Sequence, residues 1–370
     1  ATINAVTSSA ESLTRYSNDY SPKIINACGE FNFYSNKIDE VKIEKILLQK
    51  VIKNHFLPKE GFLKSRISYW LIFIFSFIPL YKILKKDNPE FFIIHLISSL
   101  PLSILLFFNF KTKFILRISG FPKMNFLRKT LWKLTAKKLY KISCPTEETL
   151  DYLKKMKIFS EDKIILLRDP IVDINKINQL KKNVSNQVDQ KEFLLGIGRL
   201  TKQKNFEFLI KCFKIITKKY PNLDLIILGE GEKREDLKLL INDYDLNDKV
   251  FLKGYSKNVH SYLSRCKAFI LSSLWEDPGF VLVEAIYNNC NIISSNCRSG
   301  PKEILKNGDG GYLFESNSTE SFINVFNLFM EDKEKNLFNK KKVAKKNIKQ
   351  FTIFKHYIKL KKILDHYAIS

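Results

Sequence analysis

Two glutamates stand on either side of a Pro-Gly step, Glu276 before Pro278-Gly279 and Glu284 after it. Proline and glycine end the preceding strand and leave backbone N–H groups free at the start of the next helix. Glu284 then lies about one turn into an otherwise apolar helix, where a carboxylate is costly without a partner. The hydroxyls of a sugar or a ribose would be such a partner, and a core arginine or a backbone group is the alternative.

Two cations, Arg199 and Lys204, stand five residues apart after a strand that ends in a glycine turn at Gly198. A helix N-terminus and neighbouring cations together bind phosphate, so this junction is a candidate phosphate site; a solvated basic loop is the alternative. A second glycine turn, Gly-Glu-Gly at residues 229–231, follows the next strand but lacks the third glycine of a dinucleotide fingerprint. Both turns stand where a doubly wound sheet binds its ligands, at the C-terminal ends of strands.

The sequence gives little sign of a metal site. Its six cysteines are scattered without a Cys-x-x-Cys pair, and it has only five histidines, which argues against structural zinc and against a disulfide framework. The one Asp-x-Asp in the second half, Asp243-Tyr244-Asp245, ends a predicted helix just before a strand, at the sheet edge opposite the ligand crevice. We therefore predict reduced thiols, no metal and no cofactor.

The elements that must position these residues alternate between strand and helix, which predicts parallel sheets. Strands are predicted at residues 23–27, 91–97, 113–118, 139–143 and 163–167, and again at 193–197, 223–228, 250–252, 268–271 and 291–294. A helix is predicted over residues 40–53. The fold class is therefore α/β, with two Rossmann-like doubly wound domains facing across a cleft.

The domain boundaries follow from a change in composition. Residues 1–174 form the predicted first domain, the polar segment 175–191 lacks an apolar period and is predicted to be a linker, and residues 192–349 form the second domain. A C-terminal helix at about 350–370 is predicted to pack back on the first domain.

Two apolar runs interrupt the first domain. Tyr69–Leu84 is shorter than a bilayer span and contains Pro79, and Phe91–Phe110 is broken by His95 and Pro101. We predict that both are core elements, the second as a strand followed by a helix. A membrane-embedded segment is the alternative.

Four segments, GIGRL…QKNF, LGEG, SSLWEDPGFVLVEA and SGPKEI, resemble in order and spacing the glycosyltransferase family 4 pattern. The resemblance covers residues 110–370 well and 20–110 loosely, and its most specific part is the Glu-x7-Glu element around the Pro-Gly step. It implies the GT-B fold and a retaining, metal-independent transfer of a hexosyl group from a nucleotide-sugar, which is a substrate and not a cofactor.

The resemblance also implies roles for particular residues. Arg199 and Lys204 would hold the donor diphosphate, and Glu276 would bind the donor sugar. His95 would face that sugar from the first domain, although a core histidine is the alternative. The remaining donor-binding positions implied by the family are Gly198, Glu230, Tyr255, Gly279, Phe280, Val281 and Glu284, with Glu284 on the ribose hydroxyls and Glu230 and Tyr255 near the base.

The implied function is sugar transfer from a UDP- or GDP-linked donor to a lipid-linked or polysaccharide acceptor in capsule, O-antigen, lipopolysaccharide or exopolysaccharide synthesis. One departure keeps an alternative open. The family begins with a strand and a glycine loop that contacts the donor phosphates, whereas Ala1–Thr14 already resembles the helix that follows them. A truncated or degenerate nucleotide-sugar-binding protein without transfer activity is therefore the second hypothesis.

The net charge of +24 comes from 62 Lys and Arg against 38 acidic residues, and it suggests an anionic partner. Ten cations and no acid lie between Phe110 and Thr146, in the domain that also holds Tyr69–Leu84. Basic residues beside apolar ones suit an anionic membrane surface, and a solvated basic surface is the alternative. No nucleic-acid recognition module is present, so we predict a cytoplasmic protein without a nucleic-acid partner. The basic and apolar segments favour a peripheral position on the inner face of the cytoplasmic membrane.

Overall fold

The computed structural model describes residues 2–27, 43–48, 62–182 and 191–365. The chain divides into two compact units. The first unit is made of residues 1–170 and 353–370, and the second is made of residues 171–352.

The strands are short and rich in Ile, Leu and Phe, residues that pack well on a buried pleated surface. Within the described residues, the first unit holds β1 (Lys23–Asn26), β2 (Glu44–Leu47), β3 (Phe91–Ile94), β4 (Lys113–Arg117), β5 (Leu139–Cys144) and β6 (Ile164–Leu166). The second holds β7 (Phe193–Ile197), β8 (Asp224–Leu228), β9 (Val250–Gly254), β10 (Ala268–Leu271), β11 (Ile292–Ser295) and β12 (Tyr312–Phe314).

The helices alternate with these strands. Those of the first unit are α1 (Thr2–Tyr16), α2 (Phe62–Asp87), α3 (Ser99–Phe107), α4 (Phe126–Thr135) and α5 (Glu147–Lys155). The second unit follows with α6 (Ile174–Lys182), α7 (Phe206–Lys219), α8 (Arg234–Asp243), α9 (His260–Leu263), α10 (Phe280–Tyr287), α11 (Pro301–Ile304), α12 (Thr319–Glu331) and α13 (Glu334–Ile348). The chain then returns to the first unit as α14 (Ile353–Asp365), which packs against α1.

The described strands of the first unit form two separate parallel sheets. β1 pairs with β2, and β3, β4, β5 and β6 pair in that order. Leu84, Leu102, Phe114 and Ile142 are fully buried in the apolar core of this unit. Thr146 caps α5, since its hydroxyl accepts a hydrogen bond from the Thr149 amide at the start of that helix.

The second unit has one six-stranded parallel sheet in the order β12-β11-β10-β7-β8-β9. The chain starts at β7, moves outward to β9, and then returns to the other side of β7 to build β10, β11 and β12. Alternate strand residues belong to different apolar clusters, Leu194 with Phe213 and Leu195 with Leu282, so both faces of the sheet are covered by helices. The strand order reverses between β7 and β10, which makes their C-terminal ends a switch point where such sheets bind ligands.

Two predicted elements are wrong. The helix predicted over residues 40–53 contains the strand β2, whose pairing with β1 outweighs the local helical pattern; residues 40–42 and 49–53 lie outside the described residues. The segment 175–191 was predicted to be a linker, but its first residues belong to the helix α6. This helix packs on the second unit, because Ile177 is buried in the core of that unit. Residues 183–190 lie outside the described residues.

The two apolar runs differ in the elements that they form. Phe91–Phe110 forms the predicted strand and helix, β3 and α3. Tyr69–Leu84 lies within the single long helix α2, and the prediction of a core element is right for one face only. Leu80 and Leu84 are buried, whereas Trp70 and Ile78 on the opposite face are exposed. Among the described residues, Ile67–Asp87 alone is long and apolar enough to cross a membrane, and 22% of its most apolar stretch is buried.

Candidate active site

The predicted donor-site residues of the second unit all follow the C-terminal ends of its strands. Arg199 and Lys204 follow β7, Glu230 follows β8, Tyr255 follows β9 and Glu276 follows β10. Because the sheet is parallel, these ends meet at one edge. The structure thus brings together at one edge residues that are far apart in sequence.

Glu276 and Lys204 are in direct contact at the switch point. The Lys204 ammonium lies 2.5 Å from Oε1 of Glu276, across 72 residues of sequence. The Glu276 side chain is only 5% exposed and that of Lys204 is 14% exposed. The Ser273 hydroxyl donates a second hydrogen bond, of 2.5 Å, to the same carboxylate oxygen. A buried carboxylate is therefore held by two donors that come from the loops after β7 and β10.

Hydrogen bonds to backbone carbonyls join these two loops. The amide of Leu274 donates to the carbonyl of Gln203, and the Gln203 side chain donates back to the carbonyl of Trp275. The Ser272 hydroxyl donates to the carbonyl of Lys204 at 2.8 Å. Because the loops are fixed to one another by these bonds, the positions of Lys204 and Glu276 are set together.

A third loop, after β11, packs on the Pro-Gly step. The amide of Glu276 donates to the carbonyl of Arg298, and a Cβ on Gly300 would lie 1.9 Å from the carbonyl oxygen of Pro278. Gly300 also has a φ of +133°, a backbone conformation that side chains disfavour. The SGPKEI segment therefore supports the Glu276 loop, as its sequence position suggested, and its glycine is required by the close approach of the two backbones.

The start of α10 confirms the predicted strand-to-helix junction. Gly279 precedes the helix in a left-handed conformation with φ 97°, and Phe280 and Val281 begin it. Their amides belong to the first turn, whose N–H groups have no acceptor within the helix. This N-terminus lies just after Glu276 in the chain, so it adds backbone donors to the same edge of the sheet.

Glu284 lies in the second turn of α10. Among the described residues, no hydrogen bond or ion pair to its carboxyl group is found, so the core arginine considered above is not its partner. Burial raises the pKa of Glu284 to about 7. A carboxylate in this position would gain from hydroxyl donors supplied by a ligand.

The turn after β8 forms the far side of this edge. A Cβ on Gly229 would lie 1.9 Å from the carbonyl oxygen of Gly198, and the amide of Leu200 donates to the carbonyl of Glu230. The Glu230 side chain pairs with Arg234 at 3.1 Å, and Tyr255 is largely exposed. The two glycine turns are therefore packed together, with Glu230 and Tyr255 at the solvent side.

One predicted site residue, His95, lies in the first unit. His95 follows β3 directly and lines a cavity of about 540 Å³ within that unit. Burial, with the nearby Arg117 guanidinium as a smaller cause, lowers the pKa of His95 to about 3. The imidazole is therefore neutral at physiological pH, and it can take part in hydrogen bonding but not in charge pairing.

Two contributors were missed by reasoning from the sequence. Ser273 and Gln203 both belong to the motifs quoted above, but nothing in their spacing indicated that they contact Glu276 or its loop. The Asp243 and Asp245 side chains lie at the end of α8 and are exposed, as predicted. Within the described residues, no group of three or more His, Cys, Asp or Glu side chains is arranged to hold a metal ion.

The same half of the chain matches a known protein family. Residues 178–351 match the family model described as glycosyl transferases group 1. This segment extends over nearly all of the second unit, including the Lys204–Glu276 pair and Glu284. At the level of the group 1 family, the match supports the resemblance that implied the donor-site residues.

Individual relatives extend the likeness. An uncharacterized glycosyltransferase from Methanocaldococcus jannaschii is 35% identical over 60% of this chain and 60% of its own length. An Escherichia coli protein, UDP-Gal:α-D-GlcNAc-diphosphoundecaprenol α-1,3-galactosyltransferase, is 28% identical over 77% of this chain and 78% of its own. The alignment therefore spans about three fifths of the archaeal relative.

Solved structures show the fold. A glycosyltransferase from Rickettsia africae superposes with a TM-score of 0.75 over 98% of this chain and 94% of its own, at 15% identity. The lipopolysaccharide outer core galactosyltransferase WaaB gives 0.70 over 99% and 96%, at 16% identity. The chain thus has the α/β fold with parallel sheets that GT-B glycosyltransferases share, and at these identities the likeness concerns the fold alone.

Proposed function

We propose that this chain is a retaining, metal-independent glycosyltransferase of family 4, which moves a sugar from a UDP- or GDP-linked donor to a hydroxyl of a cell-surface glycan precursor. The observation that carries the proposal is the buried Lys204–Glu276 pair at the switch point of the second sheet. The group 1 family match over the same residues supports it.

The cations would hold the donor diphosphate. An ammonium has three N–H donors, and Lys204 uses one on Glu276, which leaves donors for phosphate oxygens. Arg199 is exposed on the same loop and supplies a second cation. Together with the N-terminus of α10 they would stabilise the charge that develops on the departing nucleoside diphosphate, a task that needs no metal.

Glu276 would bind the donor sugar. Its carboxylate can accept hydrogen bonds from sugar hydroxyls while Lys204 and Ser273 hold it in place. In the proposed reaction, the bond between the anomeric carbon and the phosphate oxygen breaks and its electron pair leaves with the nucleoside diphosphate. The acceptor hydroxyl bonds to that carbon from the same face, and its proton passes to the departing phosphate.

The nucleoside would lie beyond the diphosphate. Glu284 would accept hydrogen bonds from the two ribose hydroxyls, which would satisfy the carboxyl group of a half-buried side chain that has no hydrogen-bond or ion-pair partner among the described residues. Glu230 and Tyr255, near the solvent side of the same edge, would contact the base. A related structure, Anabaena HepE at a TM-score of 0.71, 12% identity and over 99% of this chain, contains UDP, which makes UDP the first nucleotide to test.

The acceptor is proposed from the relatives. Besides the E. coli galactosyltransferase, a Campylobacter jejuni relative is named as an N-acetylgalactosaminyltransferase that acts on a diphospho-undecaprenol-linked saccharide. It is 26% identical over 61% of this chain and 62% of its own length. A saccharide linked through a diphosphate to a polyprenol is therefore the acceptor class that we propose. His95, with its neutral imidazole, would hydrogen-bond the transferred sugar.

Such an acceptor lies in a membrane, and the first unit has a surface suited to one. Ile67, Trp70, Ile74 and Ile78 recur every three or four residues and form an exposed apolar stripe on α2. The amphipathic helix α4 exposes Phe126, Leu127 and Leu134, and both helices pack against α3. We call these seven residues the apolar face.

Cations accompany the apolar face. Arg128, Lys129 and Lys133 are exposed on α4. Arg117 is an exception within the basic run, because it is buried and paired with Asp169. Each basic residue near anionic lipid contributes about 1 kcal/mol, so the apolar face with its cations would hold the enzyme at the cytoplasmic surface of the membrane.

A transfer assay tests the proposal. The chain is incubated with UDP- and GDP-sugars and a polyprenyl-diphosphate saccharide, and labelled sugar is measured in the lipid phase. We expect labelled lipid with one donor, and a product whose anomeric configuration, read from its NMR coupling, matches that of the donor. An inverted anomeric centre would contradict the retaining mechanism.

The alternative is a nucleotide-sugar-binding protein without transfer activity. One observation favours it: β1 and β2 form a sheet separate from the other described strands of the first unit. Nucleotide binding without transfer or hydrolysis across the donor and acceptor panel would support this alternative.

A further inference from the structure

Two cysteine side chains meet at the edge of the second sheet that lies opposite the candidate active site. Cys266 lies between α9 and β10, and Cys290 lies between α10 and β11. Because β10 and β11 are parallel neighbours, the segments that lead into them meet at the N-terminal ends of the strands. The two Sγ atoms are 3.8 Å apart, although the residues are 24 positions apart in the sequence. The fold thus brings into contact two thiols that the proposed reaction does not use.

Hydrogen bonds hold the two segments together independently of an S–S bond. The Asn291 side chain donates to the carbonyl of Lys267 at 2.9 Å, and the amide of Phe269 donates to the carbonyl of Asn291 at 2.9 Å. The Cys290 thiol donates to the carbonyl of Leu263 at 2.8 Å. The backbone beside both sulfurs is therefore fixed. The sulfurs need to approach only from 3.8 Å to the roughly 2 Å of a disulfide, which is within the reach of side-chain rotation.

The two thiols differ in exposure. Cys266 is half-buried, whereas Cys290 is only 5% exposed. An oxidant in solution therefore reaches Cys266 first, and Cys290 is in place to attack the oxidised sulfur, which is the arrangement of a reactive cysteine beside a resolving one. Burial raises the pKa of Cys212 to about 11 and that of Cys297 to about 12. Because the thiolate is the reactive form, these two buried thiols compete poorly for the oxidant.

We propose that Cys266 and Cys290 are a redox pair, which a peroxide converts from a dithiol to a disulfide. With hydrogen peroxide, the Cys266 sulfur attacks one oxygen, the O–O bond breaks, and the other oxygen leaves as water with the thiol proton. Cys266 is then a sulfenic acid. The Cys290 sulfur attacks the Cys266 sulfur, the S–O bond breaks, and a second water carries away the Cys290 proton. Two electrons pass from the sulfurs to the peroxide, and a small thiol reductant would return them.

The disulfide would close the segment that carries the candidate active site. Glu276, the start of α10 and Glu284 all lie between the two cysteines in the sequence. A crosslink across 24 positions restricts the unfolded chain, which favours the folded state. Since the cysteines lie at the opposite edge of the sheet, the crosslink would secure the two ends of this segment without entering the site.

The test treats the full chain with a small excess of hydrogen peroxide, stopped with catalase. The remaining thiols are alkylated, and the crosslinks are mapped by tandem mass spectrometry of peptides. We expect a crosslink that joins Cys266 to Cys290, while Cys212 is alkylated. The Tm should rise by about 5–10 °C, the scale of a disulfide that closes a loop of this length, and dithiothreitol should reverse the rise. Cys297→Ser is the matched control, and it should retain both the crosslink and the rise.

Two variants separate the pair from general oxidation. Cys266→Ser changes a half-buried side chain, so it should fold, and it should lose both the crosslink and the rise in Tm. Cys290→Ala should leave Cys266 as a sulfenic acid, which dimedone traps. Alkylation of both Cys266 and Cys290 after treatment would overturn the proposal, as would a crosslink from either of them to another cysteine. An equal rise in Tm for Cys266→Ser would also overturn it.

Discussion

The ammonium of Lys204 and the carboxylate of Glu276 lie 2.5 Å apart in the interior of the second unit, although they come from loops after non-consecutive strands. Removing one partner of such a pair leaves the other charge buried, which costs about 3–5 kcal/mol. Lys204→Met should therefore lower the stability of the second unit by that order. The measurement is urea unfolding, with Lys238→Met on the exposed face of α8 as the control. Equal midpoints for the two variants would show that the pair is energetically unimportant.

Glu284 makes ligand binding depend on pH. Ribose hydroxyls donate to the ionised carboxyl group, and burial raises the pKa of Glu284 to about 7, so binding must be accompanied by loss of a proton below that pH. We expect the Kd for UDP to rise up to about tenfold per pH unit below pH 7. Titration calorimetry at several pH values measures this. Glu284→Gln should bind more weakly at pH 8 and lose the dependence, and a retained dependence would contradict the role of Glu284.

The same group makes stability depend on pH. A carboxyl group whose pKa is raised on folding favours the folded state while it is protonated, so its contribution is present below the unfolded pKa and declines as pH rises toward 7. In the absence of ligand, the unfolding free energy of the native chain should fall between about pH 4.5 and pH 7 relative to that of Glu284→Gln. Parallel curves for the two proteins would show that the carboxyl group is as well solvated in the folded chain as in the unfolded one.

Gly300 should be intolerant of any side chain. A Cβ there would lie 1.9 Å from the carbonyl oxygen of Pro278, whereas a Cβ on Gly308, which also has a positive φ, would have no atom within 4 Å. Gly308→Ala should cost only its backbone strain, about 1–2 kcal/mol. Gly300→Ala should cost more and also displace the Glu276 loop, which lowers activity. Thermal unfolding and turnover of both variants measure this, and equal effects would refute the close approach.

Membrane attachment should depend on the apolar face and on lipid charge. Trp70→Ser and Phe126→Ser remove side chains that are 60% and 81% exposed, so they should leave the fold intact and weaken sedimentation with vesicles that contain phosphatidylglycerol. Leu239→Ser, at an exposed leucine of the second unit, is the control. Binding should fall as salt increases, because cations supply part of the attraction. Binding that is indifferent to lipid charge would rule out the electrostatic part.

Most of the fold of the second unit could be predicted from its sequence. Each apolar strand from β7 to β11 ends in Gly, Ser or a polar loop, and the parallel sheet then brings those loops to one edge. The Lys204–Glu276 contact itself was not predictable, because it requires β7 and β10 to be neighbours although two strands lie between them in sequence. The hydrogen bond from Ser273 depends on that same juxtaposition.

Less of the remaining fold could be predicted from the sequence. β2 was predicted as part of a helix because four residues paired at a sheet edge carry little local signal. The lysine-rich α13 was not predicted, since Ala344 and Ile348 are its only fully buried residues. The exposed stripe of α2 could not be distinguished from a core helix, because apolar residues are present on both of its faces and burial depends on what packs against them.

The most direct test of the central claim compares donor hydrolysis by three proteins: the native chain, Glu276→Ala and Asp248→Ala. Asp248 is an exposed carboxylate in the turn just before β9, at the N-terminal end of that strand, so its removal should leave the rate unchanged. Loss of Glu276 should lower the rate of UDP- or GDP-sugar hydrolysis by about 10²–10³-fold, the scale of a residue that stabilises a transition state. Equal rates in all three proteins would contradict the assignment of this edge as the active site.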